Sequence, residues 1–135
     1  MNKLLSSVIA ILLISCAKQV QTPPLAGQWF ANPASIDYLN LERLALDFRT
    51  DSTYRYYYRS APVPPFETGQ DYTEGGRYSL RSDTIHFSVI EANGLRTAYN
   101  YSRKFRILPD TTEWPLRVTY HRNNIDFEVY FRAEK

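Results

Sequence analysis

From Leu25 onward no window of eleven or more residues keeps a 3.6-residue period. Apolar residues alternate with polar ones over short runs, and each run ends in a turn signal. A period of two places successive side chains on opposite faces of a strand. The pattern therefore restricts the chain to an all-β sandwich or barrel. Eight strands are predicted. The first covers Leu25 to Ala31. The second covers Leu41 to Arg49, with Leu44, Leu46 and Phe48 on one face and Arg43 and Asp47 on the other. The third covers Thr53 to Ser60, and the fourth Gly76 to Leu80. The fifth runs from Thr84 to Ala92 with Ile85, Phe87 and Val89 inward. The sixth runs from Arg96 to Leu108, the seventh from Leu116 to His121 and the eighth from Ile125 to Arg132. Asn93-Gly94 is the clearest hairpin signal, because both residues accept positive φ.

Eight strands joined mostly by hairpins suggest an antiparallel up-and-down barrel, which has no sheet edge left open. A Greek-key sandwich shares the same local pattern. In an up-and-down barrel the odd connections share one end, here called the mouth. Two of them, Asn32–Asn40 and Ala61–Gly75, are long, and they carry Ile36, Tyr38, Phe66 and Tyr72. Loops of this length in a compact domain are usually functional or disordered.

Tyrosine is abundant, with 11 residues. In Tyr54-Arg55-Tyr56-Tyr57-Tyr58-Arg59 the alternation puts Tyr54, Tyr56 and Tyr58 on one face. Each buried phenol needs a polar partner, so three inward hydroxyls imply either a ligand or water inside, or a filled barrel in which they bond one another or the backbone. In the sixth strand the face of Phe105 and Ile107 also carries Tyr99, Tyr101 and Arg103. An inward guanidinium needs an anion or strong acceptors. A ligand carboxylate or phosphate is one candidate and Glu42, inward by parity, is another; a bulge would instead turn Arg103 to solvent.

The remaining candidates are sparse. His86 and His121 alternate with inward residues and should face solvent. No spacing supplies the three or four converging ligands of a zinc site, and no nucleophile elbow or Gly-rich phosphate loop is present. No catalytic residue, metal or cofactor is therefore assigned. Asp71 and Glu74 fall in the long loop. Trp114 is either a cap on the barrel floor or an exposed contact.

The first 24 residues read differently. Asn2-Lys3 precedes an apolar run from Leu4 to Ile14, too short to span a bilayer, which takes about 20 residues; its length and flanks fit an export signal. Leu13-Ile14-Ser15-Cys16 contains the only cysteine of the chain. The four residues resemble the lipobox of bacterial lipoproteins. The resemblance implies cleavage before Cys16, a diacylglycerol on its thiol and an acyl chain on its amino group, a stable anchor at about 0.8 kcal/mol per buried CH₂. An ordinary secretory signal followed by a chance cysteine is the alternative. Residues 1–15 are then the signal peptide, 16–24 a lipidated tether and 25–135 one barrel domain. Residues 17–24 reach at most about 25 Å. The residue directly after Cys16 is Ala17 and not Asp, and no acidic cluster stands in the tether. By analogy with known sorting signals the default location is the outer membrane of a bacterial envelope, facing the periplasm. Removing Lys3 leaves 15 basic against 14 acidic residues, which lacks the basic footprint of a nucleic-acid binder.

Gly27-Gln28-Trp29, at the start of the first strand, resembles the Gly-x-Trp fingerprint of lipocalins. The resemblance implies a barrel whose closed end is plugged by Trp29, with an arginine of the last strand, Arg132, packed over it. The middle Thr-Asp-Tyr motif and the disulfide of that family have no counterpart here. The chain looks more like the small lipocalin-like, calycin-type lipoproteins of Bacteroidetes. Two functions follow as expectations. One is a membrane-anchored protein binding a small, partly apolar or anionic ligand among Tyr54, Tyr56, Tyr58, Tyr99, Tyr101 and Arg103. The other is a solid barrel whose loops hold an envelope protein, as inhibitor or accessory subunit. An enzyme ranks behind both, for want of converging titratable groups.

Overall fold

The computed structural model describes residues 25–109 and 111–134. The predicted signal peptide, the tether and Cys16 lie outside the described residues.

Eight strands form a closed antiparallel barrel in chain order. They are β1 (Gly27–Ala31), β2 (Leu41–Phe48), β3 (Thr53–Ser60), β4 (Asp71–Arg81), β5 (Thr84–Ala92), β6 (Leu95–Ile107), β7 (Leu116–Arg122) and β8 (Ile125–Ala133). Closure comes from β1 on β8, where Trp29 pairs with Ala133, Phe30 with Arg132 and Ala31 with Phe131. The up-and-down barrel is thus the fold, and the sandwich is excluded. The tight turns carry residues that tolerate left-handed backbone: Ser52, Ser82, Asn93, Gly94, Asn123 and Asn124 all have positive φ.

Alternation decides what fills the barrel. Leu44, Leu46, Phe48, Tyr54, Ile85, Phe87, Leu116, Val118, Val129 and Phe131 are inward and at most 3 % exposed. Leu25 and Trp29 close the base, where the indole Nε1 donates to the Leu25 carbonyl at 2.9 Å. The strand faces turned outward carry Arg55, Arg59, Arg77, Ser88, Lys104, Arg106 and Glu128. A barrel that crosses a bilayer has the reverse arrangement, with an apolar band outside.

At the mouth, the β1–β2 connection folds into a short helix α1 (Pro33–Ile36) and a 3₁₀ turn, Asp37–Leu39. The Asn32 side chain caps α1 by accepting from the Ala34 N–H, and Pro33 occupies the first turn, where its missing N–H costs nothing. Asn40 ends the 3₁₀ turn in left-handed conformation. Ser35 Oγ accepts from Tyr130 N, which ties the cap to β8. Ile36, 1 % exposed, belongs to the core.

Several strand limits differ from the expectation. β4 begins at Asp71, five residues before the predicted Gly76, so the second mouth loop shrinks to 61–70. The expected boundary between loop and strand, at Gly75 and Gly76, is instead the middle of β4, where the register shifts against β5. A Cβ on Gly76 would stand 2.0 Å from the Ser88 carbonyl oxygen, so only glycine permits this approach. A second bulge, between Leu41 and Arg43 on β2, breaks the parity that placed Glu42 inward. Glu42 is exposed and pairs instead with outward Arg59 at 3.5 Å. β1 begins at Gly27 rather than Leu25. Ile107 and Ile125 have inward parity but sit at strand ends and are 44 % and 53 % exposed.

The wall is uneven. β6 has 13 residues and β7 has 7, and they pair only through Phe105–Ile107 and Leu116–Val118. Toward the mouth the two strands part, and the β5–β6 hairpin stands beyond the end of β7.

Gly76→Ala should destabilise the protein by about 2–3 kcal/mol, because the added methyl overlaps backbone that cannot move aside. Gly75→Ala, whose Cβ would meet only Tyr54 O at 3.5 Å, should change stability by less than about 0.5 kcal/mol. Urea denaturation of the two variants checks the contrast.

Candidate functional site

Among the described residues the barrel interior contains one buried acid, Glu74, 6 % exposed. It sits on β4, facing inward, directly across from Tyr56 on β3. An ionised carboxylate presents about four lone-pair positions, and four phenols occupy them. Oε1 accepts from Tyr54 at 2.6 Å and from Tyr101 at 2.5 Å. Oε2 accepts from Tyr72 at 2.9 Å and from Tyr99 at 2.8 Å. Tyr72 and Tyr99 also share a 3.0 Å hydroxyl contact. Three strands supply the donors: β3 gives Tyr54, β4 gives Tyr72, and β6 gives Tyr99 and Tyr101.

The electrostatics follow from that packing. Burial is the first cause that drives the phenols of Tyr54, Tyr72 and Tyr101 well above the ordinary tyrosine range. Hydrogen bonding adds to it, from Glu74 on Tyr54 and Tyr101 and from Tyr99 and then Glu74 on Tyr72. Tyr99 shifts upward as well, chiefly by burial. Rings reinforce the cluster: Phe87 stacks on Tyr101 at 4.7 Å between centroids, and Tyr58 stacks on Tyr72 at 4.8 Å.

Of the residues singled out in the sequence, the structure divides the ligand-lining set in two. Tyr54, Tyr99 and Tyr101 turn their hydroxyls onto Glu74. Tyr56, Tyr58 and Arg103 line a separate pocket at the mouth. That pocket measures about 380 Å³ and is completed by Leu39, Leu41, Ser60, Tyr120 and Arg122, with Asn40 and His121 at its edge. Arg103 points inward. Its guanidinium lies 4.0 Å from the Tyr120 ring centroid and 5.3 Å from that of Tyr101. No carboxylate pairs with it among the described residues. Tyr120 is 4 % exposed. Burial raises its phenol, and the Tyr56 hydroxyl is its neighbour, yet the Tyr120 hydroxyl has no partner in hydrogen-bonding geometry among the described residues. A larger trough of about 910 Å³ lies on the outer flank of the base between Phe30, Pro115 and Arg132. Thr111, Thr112, Glu113 and Glu134 also line it.

At the base, Trp29 is buried as expected for a plug. Arg132 does not lie over it. Arg132 pairs with outward Phe30, and its guanidinium covers Trp114 at 4.7 Å. Trp114 is half-buried outside the core rather than a cap on the floor. Gly27 opens β1 at φ 130. His121 is exposed and meets Asp126 at 2.7 Å; His86 meets Ser102 at 2.7 Å on the outer wall. Among the described residues no three His, Cys, Asp or Glu side chains gather as a metal site would require.

The sequence puts Tyr72 and Glu74 in the long loop and gives Tyr120 no role, whereas the first two lie on β4 and Tyr120 is buried on β7. The two glycines hid β4, and with it the Tyr72-x-Glu74 alternation that would have placed both inside. Comparison with protein families, curated proteins and solved structures returns no match.

Glu74→Gln should destabilise the barrel by about 2–3 kcal/mol and Glu74→Ala by more, since phenols buried for one acceptor lose it. Alkali tests the same cluster. Phenols whose folded pKa is raised hold their protons longer in the folded than in the unfolded chain, so stability is full below the unfolded value near 10 and falls as pH rises above it. Chemical denaturation between pH 8 and pH 12 should show a plateau and then a steep loss, and Tyr54→Phe should make that loss shallower.

Proposed function

We infer that this protein is a membrane-anchored, lipocalin-like binding lipoprotein that takes a small, partly apolar ligand at the barrel mouth. The observation that carries the reading is the mouth pocket itself. It is an open concavity in which the rings of Tyr56, Tyr58 and Tyr120 and the side chains of Leu39 and Leu41 meet an equal share of polar residues, Arg103 among them, and convergent polar groups beside apolar walls are what orient a small molecule. The hydroxyls of Tyr54, Tyr99 and Tyr101 serve Glu74, so the ligand-facing set narrows to Tyr56, Tyr58 and Arg103. The anchor reading rests on Leu13-Ile14-Ser15-Cys16, and an envelope location, at the outer membrane facing the periplasm, follows from it. The lipocalin likeness rests on the closed eight-stranded barrel and on Trp29 at its base; the Arg132 position departs from it.

A solid-barrel interaction module is the second reading. One observation favours it: each mouth connection carries an exposed apolar side chain. They are Tyr38, Val63 and Phe66, Leu95, and Ile125, between 44 % and 73 % exposed. Such a rim suits contact with another protein.

Native mass spectrometry of the full chain expressed to the envelope, with organic extraction of the same sample, separates the readings. A small-molecule adduct released by Tyr56→Ala and by Arg103→Ala supports the binding protein. A bare mass, with a stoichiometric protein lost on Phe66→Ser, supports the module instead. Metabolic labelling with a palmitate analogue should mark the wild type and leave Cys16→Ala unmarked; an unmarked wild type would remove the anchor.

A further inference from the structure

The mouth pocket has a positive electrostatic character set between aromatic and aliphatic walls. Arg103, His121 and Arg122 line it, and no acid does among the described residues. Arg122 is committed, donating to the Tyr38 carbonyl. His121 is committed to Asp126. Arg103 is held only by the faces of two rings. Those faces leave its N–H groups without acceptors, since a π face takes the charge and not the hydrogen bonds. Tyr120 adds a second donor, a hydroxyl that is buried and unpartnered among the described residues. Buried donors without acceptors are uncommon in folded proteins. The Tyr120 hydroxyl is one, with only the Tyr56 hydroxyl beside it, and half-buried Arg103 lies against its ring from the neighbouring strand, above the last pairing of β6 with β7.

The remaining walls limit the body of the ligand. Tyr56 and Tyr58 present rings 5.9 Å apart, edge to face, and Leu39 and Leu41 share the lining with them. Below the pocket the barrel is solid: Phe48, Phe87, Val118 and Phe131 are at most 2 % exposed. A long acyl chain therefore has no channel to enter, whereas a flat ring fits against the phenols.

We propose that the mouth pocket is a binding site for small aromatic carboxylates, in which Arg103 and the Tyr120 hydroxyl hold the carboxylate and Tyr56 and Tyr58 flank the ring. This rests on the pocket reading above and specifies its ligand class. The carboxylate supplies the acceptors that both donors lack, and its charge replaces the missing acid beside Arg103.

Isothermal titration calorimetry on the full chain in lipid nanodiscs, with empty nanodiscs as blank, tests it with three probes: 2-naphthoate, the neutral 2-naphthalenemethanol, and decanoate. The expected result is saturable binding of naphthoate, at least tenfold weaker binding of the alcohol, and no pocket binding of decanoate. Arg103→Gln should weaken naphthoate at least tenfold and Tyr120→Phe about fivefold, leaving the alcohol unchanged in both; both variants should melt cooperatively. Equal binding of acid and alcohol, or naphthoate affinity unmoved by Arg103→Gln, overturns the carboxylate assignment and leaves the pocket standing. Decanoate binding as tightly as naphthoate overturns the ligand class. Binding of none of the three overturns the pocket together with the assignment.

Discussion

A carboxylate inside a small β-barrel is expensive to desolvate, and the cost is met only when its acceptor positions are filled. Glu74 meets that condition with four phenols drawn from three strands. Every donor must reach the same two oxygen atoms, so the cluster sets the register of β3, β4 and β6 relative to one another. Shifting any of them by one residue would turn its tyrosines outward and leave the charge unpaired. The apolar base would tolerate exchange of one aliphatic side chain for another of similar volume. The Glu74 cluster would not, because hydrogen-bond geometry is less forgiving than volume.

That cluster also explains how the interior is partitioned. From Trp29 up to Tyr54 and Phe87 the barrel is packed solid. The carboxylate and its phenols form the next layer, and they use up the hydroxyl groups that an inward tyrosine face would otherwise offer. Only above this layer does space open, bounded by Tyr56, Tyr58, Arg103 and Tyr120. The opening depends on unequal strand lengths: β6 continues past the last residue it shares with β7, so Arg103 and Tyr120 face each other without backbone pairing between them. Arg103 fills part of the gap by lying on the Tyr120 ring, and its donors remain available.

Local backbone chemistry supports the same arrangement. Gly76 lets β4 approach β5 closely enough to pass a bulge, and the bulge carries β4 on to Asp71, which brings Tyr72 and Glu74 inside. At the mouth, the Asn32 cap and the bonds of Ser35 to β8 hold α1 so that Ile36 seals one side while the pocket stays open on the other. Charged pairs lie outside on the wall, and the bidentate Arg106–Glu128 contact joins β6 to β8 there.

Much of this architecture was legible in the order of residues. Period-two alternation, the Asn93-Gly94 turn and the absence of helical periods led to eight strands and a closed barrel, and alternation correctly turned Tyr54, Tyr56, Tyr58, Tyr101 and Arg103 inward. These are local properties: a strand's two faces follow from its own residues, and a left-handed turn from the side chains that tolerate it. Parity fails wherever a bulge inserts a residue, as at Glu42, and a glycine looks the same whether it ends a loop or lets a neighbouring strand pass close by, as at Gly75 and Gly76. Which acceptor the tyrosines share, why Arg103 has no acid beside it, and that Arg132 covers Trp114 instead of Trp29 were decided by tertiary structure alone. Each depends on distances between residues far apart in the chain, which are set by strand register and unequal strand length and are not encoded in any single run of residues.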